Sequence, residues 1–305
     1  MRELLADIDF AKVEFHLEIL SPIDLRPEMF LRLRREMAGA ARSLGDEGLM
    51  QFLDPDLPDD PYARKNIQKP GPAFAMNAGS VRNKQLEAGD TLVVPVIFLG
   101  NTGDNAARFA RLLQVVGQRG LFKGEGRFEL DLIIARDQSG NQQLLWRGGS
   151  LPDSFASPLV NLLWAIEERG PDPAGTVMIF ETPARLLSEG KPLFNPDFSR
   201  IFPFVLRRVS SALYAWGGVE LIRDPAGILN SVQELSNERS HLRWYDWRQL
   251  QGESGEQDLG GLLGELEIIG MLPDTVWNIL RIGELLHIGR GAAYGAGQYR
   301  LASPS

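Results

Sequence analysis

Residues Val13-Glu14-Phe15-His16-Leu17-Glu18-Ile19-Leu20 alternate apolar and polar side chains, the period of a strand with one buried face, and Ser21-Pro22 closes the run. The period then changes. Phe30, Leu33, Met37, Ala41 and Leu44 recur at helical spacing, with Pro27 suited to a first turn and Gly45 to a C-terminal stop. Residues 46–72, rich in Asp, Pro and Gly, read as loop, and a short strand follows near Ala73–Asn77. Gly89-Asp90 turns the chain into Leu92–Leu99, whose Pro95 predicts an edge strand or a bulge. Asp104 caps a helix carrying Phe109, Leu112, Leu113 and Val116, and Phe128–Ile134 is the next strand.

The order strand, helix, strand, strand, helix, strand is that of a ferredoxin-like unit, and the pattern repeats it. Thr176–Leu186 is strand-like. A helical region opens at Asn195-Pro196, with Phe202, Leu206, Val209 and Leu213 on one face and a kink expected at Pro203. A short helix is predicted near Ile228–Leu235, then strands at His241–Trp247 and Leu262–Met271. Pro273-Asp274 starts a helix with Val276, Ile279, Leu280, Gly283 and Leu286 in register, and Tyr299–Leu301 closes the chain as a strand. The predicted class is α+β, with tandem ferredoxin-like domains over 1–137 and 175–305. Between them, 138–174 is a connector holding a hairpin strand at Gln143–Arg147 and an apolar segment at Leu159–Ile166.

Composition narrows the chemistry. The 305 residues contain no cysteine and three histidines, which removes thiolate chemistry and makes a histidine-rich metal site an unpromising assignment. A reducing cytoplasm suits such a chain. No basic start leads into an apolar run, so no signal peptide is expected, and no stretch predicts a transmembrane helix. The net charge of −8 argues against a wholly basic nucleic-acid binder, but the charge is unevenly spread. From Pro61 to Leu86 the chain carries Arg64, Lys65, Lys69, Arg82 and Lys84 and no acid; from Leu285 to Ala302 it carries Arg290 and Arg300 and no acid. These strips are either solvated loops or parts of a phosphate-binding surface.

The segment Gly289-Arg290-Gly291-Ala292-Ala293-Tyr294-Gly295-Ala296-Gly297 is the most specific feature. Four glycines in nine residues permit positive φ and uncover backbone amides, which can form an anion-binding nest, with Arg290 adding a charge-assisted contact and Tyr294 a ring or hydroxyl. A dinucleotide fingerprint requires a strand before the glycines and a helix after them; here the order is reversed. A Walker loop would need Gly-Lys-Ser/Thr, which is absent. The glycines can equally serve a tight helix-to-strand crossing.

This segment, with Gly283–Ile288 before it, resembles the glycine-rich signature that closes the RAMP endoribonucleases processing precursor CRISPR RNA. Pro72-Ala73-Phe74, Leu86-Glu87-Ala88-Gly89-Asp90, Phe98-Leu99-Gly100, Gly120-Leu121-Phe122 and Thr182-Pro183-Ala184-Arg185-Leu186 resemble further blocks of that family in the same order. The resemblance implies metal-independent cleavage, in which a ribose 2′-OH attacks the adjacent phosphate, with no cofactor. It implies CRISPR repeat RNA as partner and other CRISPR-associated proteins of an effector complex as further partners. The family's frequent catalytic histidine lies in or just after the first helix, whereas here no histidine occurs between Leu17 and Ser240. Candidates for proton transfer are therefore Tyr62, Lys65 and His287, the last expected to be cationic at a helix C-terminus or to cap that helix. Candidate RNA contacts are Arg64, Lys69, Arg82, Lys84, Arg243, Arg248, Gly289, Arg290, Gly291, Tyr294, Gly295 and Gly297. Arg243 lies on a period-two face with His241, Tyr245 and Trp247 that suits stacking on bases. Asp54, Asp56, Asp59 and Asp60 read as a solvated loop rather than a metal site. Two other functions compete: a non-cutting RNA-binding subunit that scaffolds a complex, and an enzyme acting on a small phosphorylated ligand in a deep pocket.

Overall fold

A computed structural model describes residues 1–25, 29–57, 59–79, 84–121, 124–222, 224–235, 238–245 and 260–304. The first half runs α1 (Arg2–Leu5), β1 (Asp9–Ile19), β2 (Ile23–Leu25), α2 (Met29–Leu44), α3 (Glu47–Leu53), α4 (Pro61–Asn66), β3 (Phe74–Met76), β4 (Lys84–Leu86), β5 (Thr91–Leu99), α5 (Thr102–Arg119), β6 (Phe128–Arg136), β7 (Gln142–Arg147), β8 (Val160–Asn161) and α6 (Leu162–Glu167). The second runs β9 (Gly175–Ala184), β10 (Leu187–Ser188), β11 (Lys191–Pro192), α7 (Phe198–Gly217), α8 (Pro225–Gln233), β12 (Glu238–Ser240), β13 (Arg243–Tyr245), β14 (Gly261–Ile269), α9 (Asp274–Leu286), a 3₁₀ turn at Ala292–Tyr294 and β15 (Tyr299–Ala302).

The main sheets are antiparallel. The first has the order β3-β5-β1-β6-β7, with β8 against the start of β1; the second has the order β12-β14-β9-β15, with β13 also on β14. In each, the first long strand lies between the strands that flank the second long helix. This is consistent with a duplicated ferredoxin-like arrangement. The connector contributes to the first sheet, since β7 pairs with β6 and β8 with β1.

Four local expectations need correction. Residues 46–72 are not all loop. Asp46 and Asp60 cap α3 and α4, their carboxylates accepting the Leu49 and Tyr62 amides at 3.0 Å in each case, so the Asp-Pro composition is helix-start chemistry. The strand β5 is not an edge, for it pairs with both β1 and β3. Proline is tolerated because the β3 ladder stops at Met76 opposite Val96; on that side the Pro95 carbonyl accepts from the Asn77 amide at 2.9 Å, and no N–H is needed in return. Leu44 lies outside the core, 48% exposed at the end of α2. The predicted strand at 241–247 is split, β12 and β13 flanking His241-Leu242, and Asp246 and Trp247 lie outside the described residues.

The halves share their cores. Phe15, Phe74, Phe98 and Phe109 form an edge-on ring cluster in the first, and Tyr294 from the C-terminal glycine segment packs against Phe74 with ring centroids 5.4 Å apart. In return, Phe10, Ile97 and Leu99 join the second core around Phe198, Phe202 and Tyr299. Each such side chain, fully buried, contributes roughly 1.5–3 kcal/mol, so the halves are fastened by apolar contacts at both ends of the seam. Among the described residues no helix is long and apolar enough to cross a membrane.

Candidate nucleic-acid interface

The helix α9 ends at Leu286, and the glycine segment carries the chain back to β15 along the end of β9. A side chain at Gly289 would place its Cβ 2.5 Å from the Arg185 carbonyl oxygen, and one at Gly297 would place it 1.9 Å from that of Ile288. Both positions have positive φ. Several amides of the segment are spent internally. Arg290 N–H donates to Arg185 O (3.0 Å), Gly297 N–H to Pro183 O (3.0 Å), Tyr294 N–H to Gly291 O (2.9 Å) and Ile288 N–H to Gly297 O (3.1 Å). The Thr182 hydroxyl donates to Gly295 O at 2.6 Å and accepts from Gln298 N–H at 2.8 Å. The bonded amides are not available to an anion, and the segment is a helix-to-strand crossing stitched to β9. Nor can the Tyr294 ring stack on a base, because it is buried at 2% exposure.

His287 is likewise not the cation expected at a helix end. It is fully buried, and burial pulls its pKa from 6.5 to about 4, so the ring is neutral near pH 7. Its Nδ1 lies 3.3 Å from Ala292 O and its Nε2 3.1 Å from the side-chain amide of Asn77, which joins the glycine segment to the first half. The same seam holds Gly79 N–H donating to Gln298 Oε1 (2.9 Å) and Trp216 Nε1–H donating to Gly71 O (3.1 Å).

Beside this seam lies a cleft of about 780 Å³ whose walls come from both halves. Arg34 of α2 and Lys69 line it from the first half; Arg185, Arg207, Arg208 and Arg290 line it from the second. Asp54 is the single acid among the lining residues, and it pairs with Lys69 at 3.2 Å. Arg207 stacks over the Phe204 ring at 4.5 Å, which fixes a long side chain at the rim. Arg208 is pinned deeper: its Nε donates to Leu286 O (3.3 Å), and its guanidinium lies where a side chain at Gly71 would be. Burial lowers its pKa to about 10, which leaves it cationic at neutral pH. A chain of net charge −8 thus gathers six cations and one acid around one opening. Such a surface attracts polyanions, and guanidiniums match phosphate oxygens in pairs.

Of the residues predicted from sequence, Lys69, Gly289, Arg290, Gly291 and Tyr294 line this cleft, while Gly295 and Gly297 shape the turn behind it. Tyr62, Arg64 and Lys65 stand on α4. There the Tyr62 hydroxyl bonds Glu220, Tyr214 bonds Asp60, and Arg64 pairs with Asp59. Lys84 lies on β4 and Arg243 on β13, both exposed and outside the cleft lining. Arg82 and Arg248 lie outside the described residues. Sequence reasoning missed Arg34, Arg185, Arg207 and Arg208. The last two were legible only as the polar face of a helix, and nothing local distinguishes a polar face that meets solvent from one that meets a second domain. Among the described residues no three or more His, Cys, Asp or Glu side chains gather as a metal site.

Residues 178–299, which span β9, α7, α9 and the glycine segment, match the family model described as CRISPR-associated endoribonuclease Cas6. Over that segment the sequence is similar to the Cas6 family, and the fold of the whole chain is similar to that of solved Cas6 structures. A Cas6 product complex superposes over 97% of this chain and 100% of its own at 17% identity, with a TM-score of 0.52. Thermus thermophilus Cas6 superposes over 97% and 99% at 15% identity, with a TM-score of 0.52. A chain of a partial Cas6-RT-Cas1–Cas2 complex gives a TM-score of 0.55 at 14% identity over 97% of this chain, which spans only 46% of that longer one. No curated protein sequence matches the chain. The cleft of this Cas6-like fold is bounded by the matched segment on one side and by α2 and residues 68–72 on the other.

Proposed function

We propose that this Cas6-like protein binds precursor CRISPR repeat RNA in the cleft between its halves and cleaves it by metal-independent transesterification. One observation carries the reading: arginines from both halves converge on a single opening in an otherwise acidic chain. In the reaction the ribose 2′-oxygen attacks the adjacent phosphorus and the bond to the 5′-oxygen breaks. The products are a 2′,3′-cyclic phosphate and a 5′-hydroxyl. Negative charge builds on the non-bridging oxygens, and preplaced guanidiniums stabilise it without reorganising. Partnership with other CRISPR-associated proteins belongs to the same reading, since one similar chain is part of a Cas6-RT-Cas1–Cas2 complex.

A second reading, an RNA-binding subunit that does not cut, is favoured by the histidines. His287 is sealed and neutral, His16 sits 3.8 Å from Glu14 on the face of β1 away from Phe15, and His241 is exposed between β12 and β13. None lines the cleft. Incubating the purified chain with labelled repeat RNA in EDTA, with and without a 2′-deoxy substitution at the cut site, separates the two. The nuclease cuts in EDTA and fails on the 2′-deoxy strand. Tight binding with no cut supports the scaffold, and no binding at low salt removes both readings.

A further inference from the structure

Tyr294 carries a polar group that the fold does not use. Its ring fills the first core against Phe74, and the residue also lines the cleft. Its hydroxyl is buried and, among the described residues, has no hydrogen-bond partner. Native folds rarely keep such a group, because a buried hydroxyl left unpaired forfeits its bonds to water. A phenylalanine would fill the same core without that cost. Arg34 and Asp54 line the same cleft as Tyr294. Asp54 is odd in its own way: a carboxylate repels phosphate, yet it is the one acid in a ring of cations. Its pairing with Lys69 at 3.2 Å uses part of its accepting capacity, and a carboxylate has about four acceptor sites. A ribose 2′-hydroxyl is a donor that this acceptor suits, and one that DNA lacks.

We propose that Tyr294, Arg34, Lys69 and Asp54 form a ribonucleotide subsite at the inner wall of the cleft. Arg34 and Lys69 take phosphate oxygens, the Tyr294 hydroxyl donates to the same backbone, and Asp54 accepts from the 2′-hydroxyl and so selects RNA over DNA. The inference rests on the RNA-binding reading above and adds to it which residues read the sugar.

The test uses the full chain with a labelled single-stranded uridylate oligomer and its deoxyuridylate counterpart at low salt. Tyr294→Phe should weaken binding about five- to tenfold, the worth of one hydrogen bond, while its thermal midpoint stays equal to wild type or rises. Asp54→Ala should abolish the preference for uridylate over deoxyuridylate. Wild-type affinity in Tyr294→Phe, a lowered thermal midpoint in that variant, or a retained preference in Asp54→Ala would each overturn the subsite. A wild-type chain that binds neither oligomer would overturn the RNA-binding reading and this inference with it. Normal wild-type binding with unchanged variants sinks the subsite alone.

Discussion

At position 287 the cost of charging a buried imidazole decides the role. The native pKa is about 4 and the unfolded value 6.5, so below pH 6.5 the unfolded chain takes up a proton that the native chain does not. Stability from this group is complete above about pH 6.5 and is lost as pH falls towards 4. The shift is worth roughly 3 kcal/mol at most. Chemical denaturation at pH 7 and pH 4.5 should show a smaller loss for His287→Asn than for wild type, because the variant has no proton to take up. An equal loss would mean that the ring is solvated. The sequence placed this histidine correctly at a helix end and offered capping as one role. What it could not show was Asn77, some two hundred positions away, closing the other side of the ring. The ring of Tyr294 is unavailable for stacking for the same reason, since its aromatic neighbour Phe74 belongs to the other half.

At the scale of elements, legibility followed the range of the forces involved. The alternation at 13–20 reports one buried face, and Val13, Phe15, Leu17 and Ile19 are indeed in the core. The helical stripes of α5, α7 and α9 were equally plain, and α7 runs through Pro203 to Gly217. The short helices α3 and α4 escaped because their cap residues also mark loops. The glycine segment was read either as exposed amides or as a tight crossing; the partners of Gly297 and Arg290 N–H, Pro183 and Arg185, come from β9 and the residue just after it, about a hundred positions earlier. If those glycines are architectural, Gly297→Ala should cost more than about 2 kcal/mol, from backbone strain and a clash with Ile288 O. Arg290→Ala, on an exposed side chain in the same segment, should leave the thermal midpoint within a degree or two. Equal midpoints for the two variants in a melting experiment would contradict this assignment.

For the whole molecule, the informative quantity is where the charge lies rather than its sum. Two cores fastened at a shared seam bring α2, residues 68–72, α7 and the glycine segment around one opening. The strips visible in sequence contributed Lys69 and Arg290 to it; the remaining cations came from helix faces and from the residue after β9, which only the packing of one half on the other aligns. The central claim is that these side chains hold the phosphates of an RNA strand. The most direct measurement is affinity for a labelled single-stranded RNA across a salt series, for wild type and for the double variant Arg207→Ala/Arg290→Ala, both exposed positions. Each phosphate contact adds about 0.7 to the slope of log affinity against log salt for a single strand. The account predicts weaker binding by the variant, with a slope shallower by about 1.4. Wild-type affinity and an unchanged slope in the variant would contradict it.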